Sequence, residues 1–229
     1  MTVWSPRVEH AAIGRISRAI VGHPGLQALG FVAALNSYIW WVEPAASDAE
    51  RMLAVLFLTA LPICSNLLHR DRRRDMGIRL DNLFRSGRDV GTATVICSLV
   101  ILCGSAGLGW RSTLSAKTVV VVAGYVVWGF SQQYALQAFV HRRLRESLRH
   151  PRGASAVAAL LFGIVHLPNP VLVVATTVAG YIWCRLYDRS PNLFTLAASH
   201  AWLATMLMTH VPREIHHVMR LGPGYWSAP

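Results

Sequence analysis

Charge is what this 229-residue chain most lacks: only 14% of its residues are Asp, Glu, Lys or Arg, against about 25% in an ordinary soluble domain. With 53% hydrophobic residues, so little charge could not clothe the surface of one or two soluble domains. Lysine is nearly absent, with a single residue at 117 beside 21 arginines. Cysteine is scarce, and Cys64, Cys97, Cys103 and Cys184 form no CxxC pair. Their spacing excludes a disulfide framework and a zinc ribbon and leaves small packing residues. No internal repeat or low-complexity stretch breaks the chain. No cleavable signal peptide is expected, because Arg15 and Arg18 would interrupt its apolar region.

What is present is long apolar runs. A transmembrane helix needs about 20 mostly apolar residues, and the runs fall at 26–42, 50–69, 90–109, 118–140, 154–167, 170–187 and 193–211. The fold class expected is an all-α polytopic membrane protein with about seven transmembrane helices. Its domains are an interfacial N-terminal segment (1–25), a transmembrane domain (26–211, its core 118–211) and a tail (212–229). Residues 8–20 place Val8, Ala12 and Ile16 opposite Arg15 and Arg18, as a helix lying on a membrane does. Segment 76–89 alternates apolar and basic residues in the same way.

The net charge of +11 becomes a topology signal. The connections that alternate with the N-terminal segment hold 17 cations, and those on the other side hold five. The asymmetry predicts a cytoplasmic N-terminus, in a cell's inner or cytoplasmic membrane. It also removes the reason to invoke nucleic acid.

Polar groups inside such helices are costly and are the first functional candidates. Gln132, Gln133 and Gln137 lie in the fourth span, Phe162 and His166 four residues apart in the fifth, and His200 in the seventh. At about 1.5 Å per residue, Gln133 and His200 sit about 11–12 Å deep and His166 about 18 Å deep. Pro168 and Pro170 stop the fifth span inside the bilayer, which requires protein or a water-filled cavity to satisfy its carbonyls. The expectation is a cytoplasm-facing cavity lined by Gln133, Gln137, His166 and His200. Asn36 and Asn66 read as helix-to-helix glue. His210, His216 and His217 fall outside that cavity, in solvated or interfacial positions.

A polar doublet, then FxxxH, then a histidine in a late span resembles the CPBP family, the CAAX-prenyl-protease-2-like (Abi) intramembrane proteins. The likeness covers roughly 118–211. In that family the doublet is Glu-Glu in an EExxxR pattern, and the last histidine opens HxxxN or HxxxD. The resemblance implies that a glutamate and the first histidine activate water for peptide hydrolysis, while the second histidine and its partner stabilise the oxyanion. Carried over, the catalytic positions are Gln132, Gln133, His166 and His200. The family's arginine falls on Gln137 and its Asn or Asp on Ala204. Gln137, Phe162 and Trp202 are expected to touch substrate.

The departures have chemical consequences. A general base must titrate near working pH, and a carboxamide does not. Loss of an oxyanion donor can cost about 10²–10³ in rate. Family-type proteolysis is therefore expected to be impaired. Two histidines without a third ligand make a catalytic zinc site unlike the usual three-ligand kind, so no metal and no cofactor are expected. Three readings follow: an enzyme of altered chemistry acting on a lipidated peptide or isoprenoid-like substrate; a non-catalytic relative binding such a ligand; and a structural subunit with a membrane-protein partner. Membrane lipids are partners in all three.

Overall fold

The computed structural model describes residues 22–112 and 117–227, and all its regular elements are helical. The expected interfacial helix at 8–20 lies outside the described residues. The helices are α1 (Pro24–Ser37), α2 (Asp48–Leu68), α3 (Leu83–Gly107), α4 (Lys117–Gln133), α5 (Arg142–Ser147), α6 (Pro151–Ile164), α7 (Pro170–Arg189), α8 (Leu193–His210) and α9 (Arg213–His216). Two π-helical stretches continue them, Tyr38–Val42 after α1 and Tyr134–His141 between α4 and α5. Each expected span coincides with one of these helices or helix-plus-π stretches. Among them α2, α3 and α7 are long and apolar enough to cross a membrane.

Local chemistry fixes the ends. Ser47 and Glu50 form a reciprocal capping box at α2. Asn169 and Asn192 cap α7 and α8 by accepting from Leu172 N (3.2 Å) and Thr195 N (3.1 Å). Pro24, Pro151 and Pro170 occupy first turns, where no backbone donor is needed. The fifth span is short as expected: α6 stops at Ile164, and His166 sits in the turn beyond it.

Leu53, Phe57, Val100 and Val127 are each more than 60% exposed, so α2, α3 and α4 turn apolar faces outward, as a lipid-embedded bundle requires. Inside, α8 packs against both α3 and α4, and α6 pairs with α7. Small residues permit these approaches. A Cβ on Gly129 would stand 3.2 Å from Ala197 O, and one on Gly163 would stand 3.2 Å from Val173 O.

The connections gather at two ends. At one, Asn82 donates to Ser190 Oγ (3.0 Å) and Pro191 O (2.9 Å), and Asn192 donates to Arg79 O (2.9 Å). Arg143, counted in the sequence as a loop cation, is instead wholly buried here. It donates to Asp71 (2.6 Å), Asn66 (2.8 Å) and Glu146 (2.8 Å), while Arg142 also reaches Asp71 (2.5 Å). Burial of so short and well-paired a cluster pins the Arg-rich 69–76 connection to α5. Asn66 also donates to Tyr134 Oη (3.0 Å), so it joins helices as expected; Asn36 donates, among the described residues, to Val32 O of its own helix (2.9 Å).

At the other end the tail folds back on the bundle. Asn169 donates to His216 O (2.9 Å) and Arg220 O (3.1 Å), and Gly222 N donates to Leu167 O (2.8 Å). Gly222 has φ +55° and abuts Ile39, and Trp226 meets Trp40 edge-on. His217, Val218 and Met219 all take left-handed backbone, a costly conformation for non-glycine residues. His210 and His216 are buried rather than solvated. His210 Nδ1 bonds Met206 O (3.0 Å), and the fold-back of the tail encloses His216.

Candidate functional site

A cavity of about 1450 Å³ lies among α1–α4 and α6–α8, closed in part by the tail. Its walls are largely apolar, with Val55, Leu58, Val100, Ile101 and Leu203 among them. Its polar interior is made by Gln132, His166 and His200, beside Phe162 and Trp183. Glu43 of the α1–α2 connection, Arg51 near the start of α2, and Arg220 and Ser227 of the tail line its rim. These stand at the end opposite the Arg-rich connections. Arg143 and its partners pack at the basic end, and tail residues 219–227 contribute to the lining at the other.

His166 follows α6 because the chain must leave the helix ahead of Pro168. Its Nδ1 lies 2.7 Å from Phe162 O, and its ring meets Phe162 edge-on at 4.9 Å. Phe162 also meets His200 edge-on at 6.2 Å. The FxxxH spacing thus brings both imidazoles onto one aromatic ring. His200 Nδ1 lies 3.2 Å from Gln133 Nε2, and Gln137 Nε2 donates to Gln133 Oε1 (3.3 Å).

The doublet and its follower are therefore divided. Gln132 reaches the cavity, and its buried Oε1 has no hydrogen-bond partner among the described residues. Gln133 and Gln137 are fully buried behind His200 and do not line the cavity. Gln137, expected at the substrate, therefore lies outside the cavity lining. Trp202 is also displaced from its expected role. Two residues beyond His200 on one helix, it faces outward, half-exposed, and donates to Ser98 Oγ of α3 (2.9 Å). Ala204 does line the cavity, so the family's Asn or Asp position presents only a methyl group.

Sequence reasoning missed Trp183. Its ring stacks on His200 with centroids 5.0 Å apart and planes at 14°. Its Nε1 donates to Ser199 Oγ (3.1 Å), which pairs with Thr94 of α3 (2.6 Å). A tryptophan near a span end reads as an interfacial anchor, and only the packing of α7 on α8 shows that it fixes an imidazole. A second missed cluster lies toward the basic end. His141, one residue beyond the expected fourth span, is buried with its Nε2 3.3 Å from Ser155 Oγ and 3.7 Å from Asp188. Both partners approach the same nitrogen, so this is not a relay of the serine-protease kind, and Ser155 is fully buried.

The site can orient a polar group by hydrogen bonds and hold an apolar chain beside it. Among the described residues the cavity's one carboxylate is Glu43, at the rim and 4.0 Å from Arg51. No three His, Cys, Asp or Glu among the described residues gather as a metal would need.

Comparison with known proteins adds one match. Residues 114–206 fit the family model described as Rce1-like, type II CAAX prenyl endopeptidase, which runs from the start of α4 through both imidazoles. No curated protein and no solved structure matches the chain.

Proposed function

We propose that this CPBP-family membrane chain, Rce1-like over its α4–α8 core, holds a lipidated peptide or isoprenoid-like molecule in the cavity, with its polar part at His166, His200 and Gln132. We further propose that carboxylate-assisted hydrolysis is impaired. The observation that carries this reading is the pairing of a large apolar cavity with an imidazole-and-amide interior in which the described residues place no carboxylate. Apolar walls suit a prenyl chain, since each buried methylene contributes about 0.8 kcal/mol. The two imidazoles and one amide supply the donors and acceptors that fix orientation.

Water activation needs a titrating base beside the reacting atom. At residue 133 the amide is sealed behind His200, and at residue 132 it offers no titratable proton. His166 would act alone, with a methyl at Ala204 where an oxyanion donor is implied by the resemblance.

The test uses the full chain in membranes with a fluorescent farnesylated peptide. Binding by the wild type that falls at least tenfold in His166→Ala and in His200→Ala supports the reading. Equal binding in all three proteins overturns it. Efficient cleavage by the wild type, abolished in both variants, would overturn the claim of impaired chemistry. A gain of cleavage in Gln132→Glu or Gln133→Glu would locate the missing charge.

A further inference from the structure

We infer that the Gln137–Gln133 amide pair sets the tautomer of His200, so that the cavity presents one imidazole donor and one imidazole acceptor and selects a neutral amide group over an anionic head. The inference deepens the proposed ligand site and rests on that reading for the ligand, though not for the tautomer.

Given the amide orientations of Gln133 and Gln137, the hydrogen bonds assign each proton in turn. Gln137 Nε2 donates to Gln133 Oε1, which leaves the Gln133 amide nitrogen directed at His200 Nδ1. An amide nitrogen can only donate, so Nδ1 accepts and the ring carries its proton on Nε2. His166 is held the other way. Phe162 O can only accept, so His166 Nδ1 donates and its Nε2 keeps a free lone pair. Neither Nε2 has a hydrogen-bond partner among the described residues, and neither is sealed from the cavity.

A donor from His200 and an acceptor from His166, both set on Phe162, match a group that carries a carbonyl and an N–H. A peptide bond or carboxamide does so. A phosphate or carboxylate would satisfy His200 but set its charge against the His166 lone pair. Of the rim cations, Arg51 is paired with Asp48 (3.0 Å) and Glu43 (4.0 Å), and Arg220 donates to Ser227. Gln133 and Gln137 are positioning residues in this scheme. A glutamate at 133 would invert it, because a carboxylate accepts from Nδ1–H and strips Nε2 of its proton.

The tautomer is read without ligand, by ¹⁵N NMR of histidine-labelled full chain in nanodiscs, with His200 assigned by signals lost in His200→Ala and, as a check on folding, in His200→Asn. The expected wild-type pattern is an unprotonated Nδ1 and a protonated Nε2. Gln133→Glu should move the proton to Nδ1, and Gln137→Leu should give a mixture. A wild-type His200 protonated on Nδ1 overturns the inference. In competition for the cavity, an S-farnesylcysteine amide should outcompete farnesyl diphosphate by about tenfold, the worth of one well-made hydrogen bond, and the reverse order overturns the ligand class. If the tautomer is as stated but no prenyl probe binds, the proposed function fails while the relay stands.

Discussion

Removing the carboxylate of Asp71 should destabilise the protein more than any other single change at the basic end. Arg143 is fully buried, and its Nη2 shares Asp71 (2.6 Å) and Asn66 (2.8 Å), while Nη1 takes Glu146 (2.8 Å). Taking one partner from a buried ion pair costs about 3–5 kcal/mol, because the remaining charge is left in a poor dielectric. Glu146 stays in place but is about a third exposed, so its compensation is weakened by solvent screening, and Arg142 loses Asp71 as well. For Asp71→Ala we therefore expect about 3 kcal/mol, which for a chain of this size lowers Tm by roughly 6–12 °C. The assay is thermal unfolding in detergent, followed by intrinsic tryptophan fluorescence. The double variant Asp71→Leu with Arg143→Met should recover most of the loss, since an apolar pair of similar volume is often neutral or stabilising. A single variant within 1 °C of wild type, or a double variant worse than both singles, would refute the assignment of this cluster as a buried anchor.

Two further outcomes follow from packing and burial. Gly129→Val should displace α8 and cost about 1–3 kcal/mol, because even a Cβ there stands 3.2 Å from Ala197 O and 3.5 Å from His200 Cβ; thermal unfolding measures the loss, and probe binding should fall with it. Burial pushes the His216 imidazole below its ordinary value, with Arg213 adding to the effect. The unfolded tail then takes up a proton first, so stability is fully present above pH about 6.5 and declines as pH falls below it. Limited proteolysis should therefore cut residues 213–227 faster at pH 5.5 than at pH 7.5, and His216→Asn should flatten that difference.

The segments were legible because their signal is bulk hydrophobicity. Pro168 and Pro170 mark the end of the short α6 on composition alone, and the FxxxH and late-histidine spacing pointed to two imidazoles that do meet over Phe162. What could not be read was facing. Gln132 and Gln133 are neighbours in sequence, yet a helix turns about 100° between them, so one reaches the cavity and the other lies behind His200. Trp202 fails for the same reason. Arg143 looks like every other arginine in its basic run, and its burial depends on Asp71 arriving from 72 residues away. The tail carries turn formers but no signal for what it covers, and its contact with Asn169 and Ile39 exists only in three dimensions.

The π-helical stretch at Tyr134–His141 joins two faces that do different work: Gln132 and Gln133 before it, Arg142 and Arg143 after it. A wide turn carries one more residue per hydrogen-bonded ring than an α-turn, so it acts as a phase adjuster between them. Deleting a single residue within it and letting it tighten would restore regular α-helix in that turn while leaving both faces in register. Deleting one from the regular part of α4 instead would swing the turns before the deletion about 100° relative to Gln132 and the basic anchor. The stretch thus sets the phase between the cavity-facing amide and the buried anchor, which a regular helix of the same length would not keep.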